Sequence, residues 1–230
     1  MCPISLAVAN ADVPLSSLAD GDPRVRDVGA KTAAEVMAEL EQRRREDPAY
    51  RAELERVELE RAERVRLLEI AEQPVVADLR AIGLDLDTVW DLDTIPDSRP
   101  RAIPVLLEHL ALDYPERVLE GIGQGLDHRS ARAWWGDLRE MMLDTERHVV
   151  RDRLAATLST CATREHYEDL LAFIQNDSLG QCRIYFLRPI NSIGNRITAG
   201  QGRAVIESVA DDPVLGKEAT AVLKGRSRSQ

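Results

Sequence analysis

The sequence predicts an all-α protein in which two-helix units repeat in tandem and wind into a right-handed α-α superhelix, preceded by a charged helical arm. Three observations carry that prediction. Apolar residues recur at helical spacing through four successive units between Arg101 and Gly225. An aspartate follows the first helix of each unit, at Asp113, Asp144, Asp177 and Asp212, spaced 31, 33 and 35 residues apart. Aromatic residues are scarce, and β-branched residues nowhere alternate with polar ones over a long run.

Taken in order, residues 1–29 show no sustained periodicity and read as a flexible tail rich in Pro, Ser, Asp and Gly. A charged arm follows over 30–72. Thr32 and Glu35 form the pattern of a capping box, and Val36, Met37 and Leu40 give a short amphipathic helix ending near Asp47. Pro48 begins a longer helix. Its exposed character comes from charge pairs at helical spacing, Glu60 with Arg64, Glu58 with Arg61 and Glu63 with Arg66. The apolar side is thin: Tyr50, Leu54, Val57, Val65 and Leu68. It suits either packing of one stripe on the first repeat or a homodimer in which the arm pairs subunits. Pro74 is expected to open another helix, at the start of a repeat domain over 73–225, and Gly83 to close it as a C-cap. Val89, Trp90 and Leu92 then form a turn of helix covering the end of the stack, and a linker bearing Pro and Asp leads to Arg101.

Within the repeats, the first helices present Ile103, Leu106, Leu107, Leu110; Tyr167, Leu170, Leu171, Ile174; and Gly202, Val205, Ile206, Val209, each at i, i+3, i+4, i+7. The second unit carries Ala131, Trp134, Trp135 and Leu138 and continues through Met141 and Met142, a helix lengthened by three residues. The second helices carry Val118, Ile122, Leu126; Val150, Leu154, Leu158; Cys182, Phe186, Ile190, Ile193; and Leu215, Ala219, Val222. Pro115 and Pro213 suit first helical positions, with an Asp nearby to accept free amides. Pro189 should free the carbonyl of Tyr185 and bend its helix. One such unit cannot cover both of its apolar faces, so copies stack. Residues 226–230 are expected to fray.

A helix, an Asp turn, then a helix with an apolar-Arg pair, clearest in DTERHVVRDRLAATL and DSLGQCRIYFLRPI, resembles HEAT repeats, of the armadillo-like helical-repeat class. The resemblance covers residues 101–225. It implies a solenoid whose turn Asp and second-helix Arg form a ladder between neighbouring repeats, here Asp144, Asp177, Arg151 and Arg183. The end repeats depart from the pattern, with Leu119 and Glu218 near the Arg position. It also implies that second helices line a concave surface. That row holds Arg147, His148 and Arg151, then Gln181, Arg183, Tyr185, Arg188 and Asn191, residue types that concentrate binding energy at interfaces. The arginines suit either a partner or the ladder.

Charge bounds the partners. The net charge is −10, and the acidity lies ahead of the repeats: residues 1–100 hold 13 basic against 22 acidic residues, residues 101–230 hold 17 against 18. Such a chain is a poor general binder of nucleic acid or anionic membrane. Cys2, Cys161 and Cys182 are odd in number and lie in no metal-ligand spacing, which suits a reducing cytoplasm. No apolar run is long enough to span a membrane, and the start lacks the pattern of a signal peptide. Glu108–His109 and Glu165–His166 reverse the His-then-Glu order of HEAT-like metal oxygenases, so the histidines are expected on surfaces and no metal or other cofactor is assigned. Gly121, Gly123 and Gly125 lack the frame of a phosphate loop and read as close helix packing. No catalytic nucleophile is visible. The expectation is a non-catalytic scaffold that binds a protein partner through its second-helix surface. The alternative is a HEAT-like DNA glycosylase acting on alkylated bases, for which WWGDLR at 134–139 is a loose echo.

Overall fold

The computed structural model describes residues 31–225; the tails expected at 1–29 and 226–230 lie outside the described residues. Every regular element in that span is helical, with no strand among the described residues. No helix there is long and apolar enough to cross a membrane. The chain divides into two compact units, Met1–Val57 and Glu58–Gln230.

The first unit holds α1 (Ala33–Glu46) and the start of α2 (Pro48–Ala81). Both halves of the Thr32–Glu35 capping box form, and Asp47 caps the far end. No residue of α1 is buried, and Val36, Met37 and Leu40 are exposed. Arg43 lies over the Tyr50 ring at 4.4 Å, a contact worth about 0.5–1 kcal/mol at an exposed site.

α2 runs on into the second unit and through Pro74 without a break, where the sequence had suggested a new helix. Pro74 removes the amide that would reach Ile70, and Ile70 is 57% exposed, so water can satisfy that carbonyl. Burial in α2 begins only at Glu72, with Val75, Val76 and Leu79 following. Of the thin apolar side, Leu54, Val57 and Val65 are exposed, whereas Leu68 is partly buried against the core. Gly83 ends the helix at φ +82°, with Leu84 N–H donating to Leu79 O across the left-handed turn. Leu79 and Leu84 are both buried, the apolar contact that accompanies this cap.

The rest of the second unit comprises the 3-10 segment η1 (Val89–Asp93), α3 (Ser98–Leu110), α4 (Glu116–Leu126), η2 (Arg129–Trp134), α5 (Trp135–Asp144), α6 (His148–Cys161), η3 (Arg164–His166), α7 (Tyr167–Gln175), η4 (Asp177–Phe186), α8 (Leu187–Ile197), α9 (Gln201–Ser208) and α10 (Gly216–Leu223). Elements pack mainly on their sequence neighbours: α3 on α4, α5 on α6, α7 on η4 and α8, and α9 on α10. The second helices also touch in series, α4 against α6, α6 against η4 and α8, and α8 against α10.

One apolar core threads these elements. It includes Ile103, Leu106 and Leu110 of α3, Val118, Ile122 and Leu126 of α4, Val150, Leu154 and Leu158 of α6, Phe186 and Ile190 around η4 and α8, and Leu215 and Ala219 near α10. The glycines of α4 set how near its neighbours come. A Cβ on Gly123 would lie 2.4 Å from Arg153 Cβ on α6, and one on Gly121 would lie 3.0 Å from the Trp90 ring.

Several boundaries differ from the periodic reading. α3 begins at Ser98, so the linker is only 94–97, closed by Asp97 at φ +54°. The lengthened helix around Trp134 and Trp135 is a 3-10 segment followed by an α-helix. The unit-three second helix breaks the same way: Gly180 leaves helical geometry inside η4, and α-helix resumes at Leu187. Pro189 thus falls in the first turn of α8, where its missing N–H costs little. The carbonyl of Tyr185 that it frees accepts the Ser159 hydroxyl at 2.8 Å.

Candidate functional site

The second-helix row is where sequence placed the binding residues, and the structure engages most of them internally. Arg183, 6% exposed, sits where η4 meets the turns on either side. Its Nε donates to Ile174 O at 2.7 Å, Nη1 lies 2.9 Å from Asp177 and Nη2 2.9 Å from Asp212. One guanidinium therefore joins the aspartates of units three and four. Asp212 also accepts from the amides of Val214 and Leu215. Those amide bonds, then Arg183, hold its carboxyl below the usual carboxylate range.

The α3–α4 and α5–α6 pairs are joined by Arg147 rather than Arg151. Arg147 bonds Leu112 O at 2.7 Å and the carboxylate of Asp113. Arg151 instead bonds Thr145 O within its own unit, and its Nε is buried without a partner among the described residues. Asp144 closes α5 and is exposed. The shift has a local cause. Thr145 Oγ1 accepts from Arg147 N–H, forming a turn that delays α6 until His148. That turn leaves residue 147, at the N-cap, to reach back across the boundary. Near Pro115 no side chain caps α4, and Asp113 serves Arg147 instead; Asp212 does accept amides beside Pro213.

Tyr185 is half-buried, with its hydroxyl donating to Asp152 on α6 at 2.9 Å. Burial, then that carboxylate, pushes the phenol up to about 12. Arg188 meets Glu218 on α10 at 2.9 Å. Gln181 is exposed, and Asn191, half-buried, accepts from the Asn195 amide at 3.0 Å within α8. Of the row, then, Arg147, Arg183, Tyr185 and Arg188 tie element to element, Arg151 ties its own turn, and His148, Gln181 and Asn191 are left on the face.

Two clusters were not visible in sequence. Trp135 is buried, stacks on His166 with centroids 3.7 Å apart and planes at 6°, and donates from Nε1 to Asp169 at 2.7 Å. Arg139 meets the other oxygen of Asp169 at 3.0 Å. Burial lowers the pKa of His166, whose Nδ1 accepts from Thr163 N–H. The tryptophan and arginine of WWGDLR are thus held against α7.

His109, expected on a surface, is buried instead. Its Nε2 is 2.8 Å from Asp78 on α2 and its Nδ1 2.7 Å from the Tyr114 hydroxyl. The order carboxylate, imidazole, hydroxyl has the form of a catalytic relay. Burial, then the Asp78 charge, raises the Tyr114 pKa, and the two hydrogen bonds tie α2, α3 and the turn before α4 together. The thiols are in the same condition: burial raises Cys182 and pushes Cys161 up to about 12. No cluster of three or more metal-ligating side chains occurs among the described residues. Comparison of the chain with protein families, with curated proteins and with solved structures finds no match.

Proposed function

We propose that the chain is a HEAT-like right-handed superhelix acting as a non-catalytic scaffold, which binds a protein partner across its second-helix surface. The observation that supports it best is the Arg183 bridge. A buried arginine joining the aspartates of two successive helix pairs is the cross-repeat bond the HEAT resemblance implies, and Arg147 with Asp113 makes its counterpart two boundaries earlier. The serial contact of α4, α6, η4 with α8, and α10 supports a continuous second-helix row.

Recognition in this reading falls to the members of the row that face outward, Gln181, Asn191 and the exposed flank of Arg188. The test is affinity capture by the full chain, followed by identification of the retained protein, with Gln181→Glu and Asn191→Asp beside the parent. Both variants should lose most of the retained partner while melting within about 2 °C of the parent. Retention unchanged in both would remove this surface from the proposal.

A further inference from the structure

The geometry points to a binding site for a phosphate monoester in a hollow between η2, the turn joining α6 to η3, and the end of α8. It goes beyond the scaffold reading and rests on different residues. The hollow measures about 390 Å³. Arg132, Arg164, Arg196 and Thr163 line it together with Ile193 and Ile197, and no carboxylate shares the lining.

What distinguishes these arginines is how they are held. Arg132 Nε donates to Cys161 O at 2.9 Å, and Arg196 Nε donates to Ser192 O at 3.1 Å. Each guanidinium is thereby fixed by its inner nitrogen, while its two outer nitrogens meet no acceptor among the described residues. The Arg164 guanidinium has no hydrogen-bond or carboxylate partner there either. From α3 onward Arg99, Arg117, Arg139, Arg147, Arg183, Arg188 and Arg203 meet carboxylates, while Arg101 and Arg151 bond backbone carbonyls and Arg153 the Gln124 side chain; Arg132, Arg164 and Arg196 differ from these in lining one hollow together. Of the nearby acidic residues, Asp169 is occupied by Trp135 and Arg139, and Glu165 and Glu168 lie outside the lining.

Bonding the carbonyl of Cys161 at the end of α6 and that of Ser192 within α8 accounts for one N–H from Arg132 and one from Arg196. It does not account for three cations around one hollow, where their mutual repulsion is relieved by an anion. A carboxylate brings one charge and two oxygens. A phosphate monoester brings about 1.5 to 2 charges and three acceptor oxygens, and it matches several guanidinium forks at once. The methyl groups of Ile193 and Ile197 give the carbon attached to the ester an apolar surface.

The monoester could belong to a small metabolite or to a phosphorylated side chain, and the probes separate these. Calorimetric titration of the full chain at low salt uses phenyl phosphate, O-phosphoserine, a phosphoserine hexapeptide, benzoate and a short single-stranded oligodeoxynucleotide. Phenyl phosphate should bind, and Arg164→Gln and Arg196→Gln should each weaken it about tenfold or more. Arg203→Gln, whose parent residue is paired with Glu207, should leave binding unchanged. Tighter binding of the hexapeptide than of O-phosphoserine assigns the site to a phosphorylated chain, and equal binding to a small molecule; both support it. No binding of any monoester at about 10 mM, benzoate binding as tightly as phenyl phosphate, an equal loss in Arg203→Gln, or tightest binding to the oligonucleotide's diesters would overturn it.

Discussion

Replacing Arg183 by Met removes the bridge while keeping most of the apolar stem. In the parent the side chain is 8% exposed and makes three bonds, to Ile174 O, Asp177 and Asp212. The three are unequal. Asp177 is 91% exposed, so water replaces its partner readily, whereas the carboxylate of Asp212 is only 21% exposed and loses a partner it cannot fully replace. The carbonyl of Ile174 is left without its donor, in a residue that is 3% exposed. Losing the donor to a buried carbonyl and a charge-assisted partner of Asp212 costs about 1–3 kcal/mol, and at about 2–4 °C per kcal/mol for a chain of this size the melting temperature should fall by roughly 2–12 °C. Arg183→Lys keeps the charge but cannot reach three acceptors in a fixed fork, so it should fall between parent and Met. Asp177→Asn should lie near the parent. Asp212→Asn should be clearly destabilised, although its remaining carbonyl oxygen can still accept from Val214 and Leu215. Circular dichroism at 222 nm through heat and urea unfolding measures all four. A loss below about 1 kcal/mol for Arg183→Met, or Asp177→Asn costing more than Asp212→Asn, refutes the idea that this arginine holds the two units together.

Two further predictions concern packing and alkali. Gly123→Ala gains about 1 kcal/mol of helix propensity but drives a methyl into Arg153, and overpacking of that kind costs about 1–3 kcal/mol; urea midpoints should show net destabilisation. Gly136→Ala on α5 meets nothing within 4 Å and should be neutral or stabilising by up to about 1 kcal/mol, so a stabilised Gly123→Ala would show that α4 and α6 are not constrained to approach there. Cys161 is buried and its thiol is raised from 9.0 to about 12. In a Cys2→Ser background, disulfide-reagent labelling at pH 8 should follow global unfolding rather than proceed from the folded protein. Because the folded protein holds that proton more tightly, the contribution is complete below pH 9 and is lost between about pH 9 and 12, at up to about 1.4 kcal/mol per pH unit. Cys161→Ala should therefore show a shallower alkaline decline, and an equal slope would contradict the assignment.

Features written in a few adjacent residues were legible before any coordinates. The Thr32 capping box and the Gly83 cap each need only a local hydrogen bond. The apolar faces of α3, α4, α6 and α7 follow from spacing alone, because 3.6-residue periodicity directly states which side turns inward. Local signals failed where the deciding partner lies far along the chain. His109 reads as a surface residue until Asp78 arrives from α2, and Trp135 reads as one more apolar contact until Asp169 and His166 arrive from the next unit. Pro74 looks like a helix start because the rule covers a buried helix interior, and the turn that would suffer faces solvent. The 3-10 segments at Arg129–Trp134 and Asp177–Phe186 escaped for another reason: with three residues per turn instead of 3.6, a short run keeps the same apolar positions inward.

The arginines show why residue type alone could not locate a binding surface. Arg151 and Arg183 occupy matching places in the repeat pattern, yet Arg183 bridges two aspartates while Arg151 folds onto the carbonyl of Thr145, six residues back. The difference lies in whether a turn carboxylate comes within reach of the guanidinium, which depends on the start of the helix and hence on the Thr145 turn. A loss of partner capture in Arg183→Met, accompanied by the fall in melting temperature worked out above, would thus report on the frame. Gln181 makes no such bond, and the contact of Asn191 stays within its own helix, so capture lost in Gln181→Glu or Asn191→Asp at unchanged melting temperature reports on the surface. Arg164, whose guanidinium bonds no side chain or carbonyl among the described residues, serves the same purpose for the hollow: Arg164→Gln should leave folding intact and remove the phosphate probe. The substitutions that sequence would rank first, at the conspicuous second-helix arginines, are then the ones least able to distinguish a binding surface from the structure beneath it.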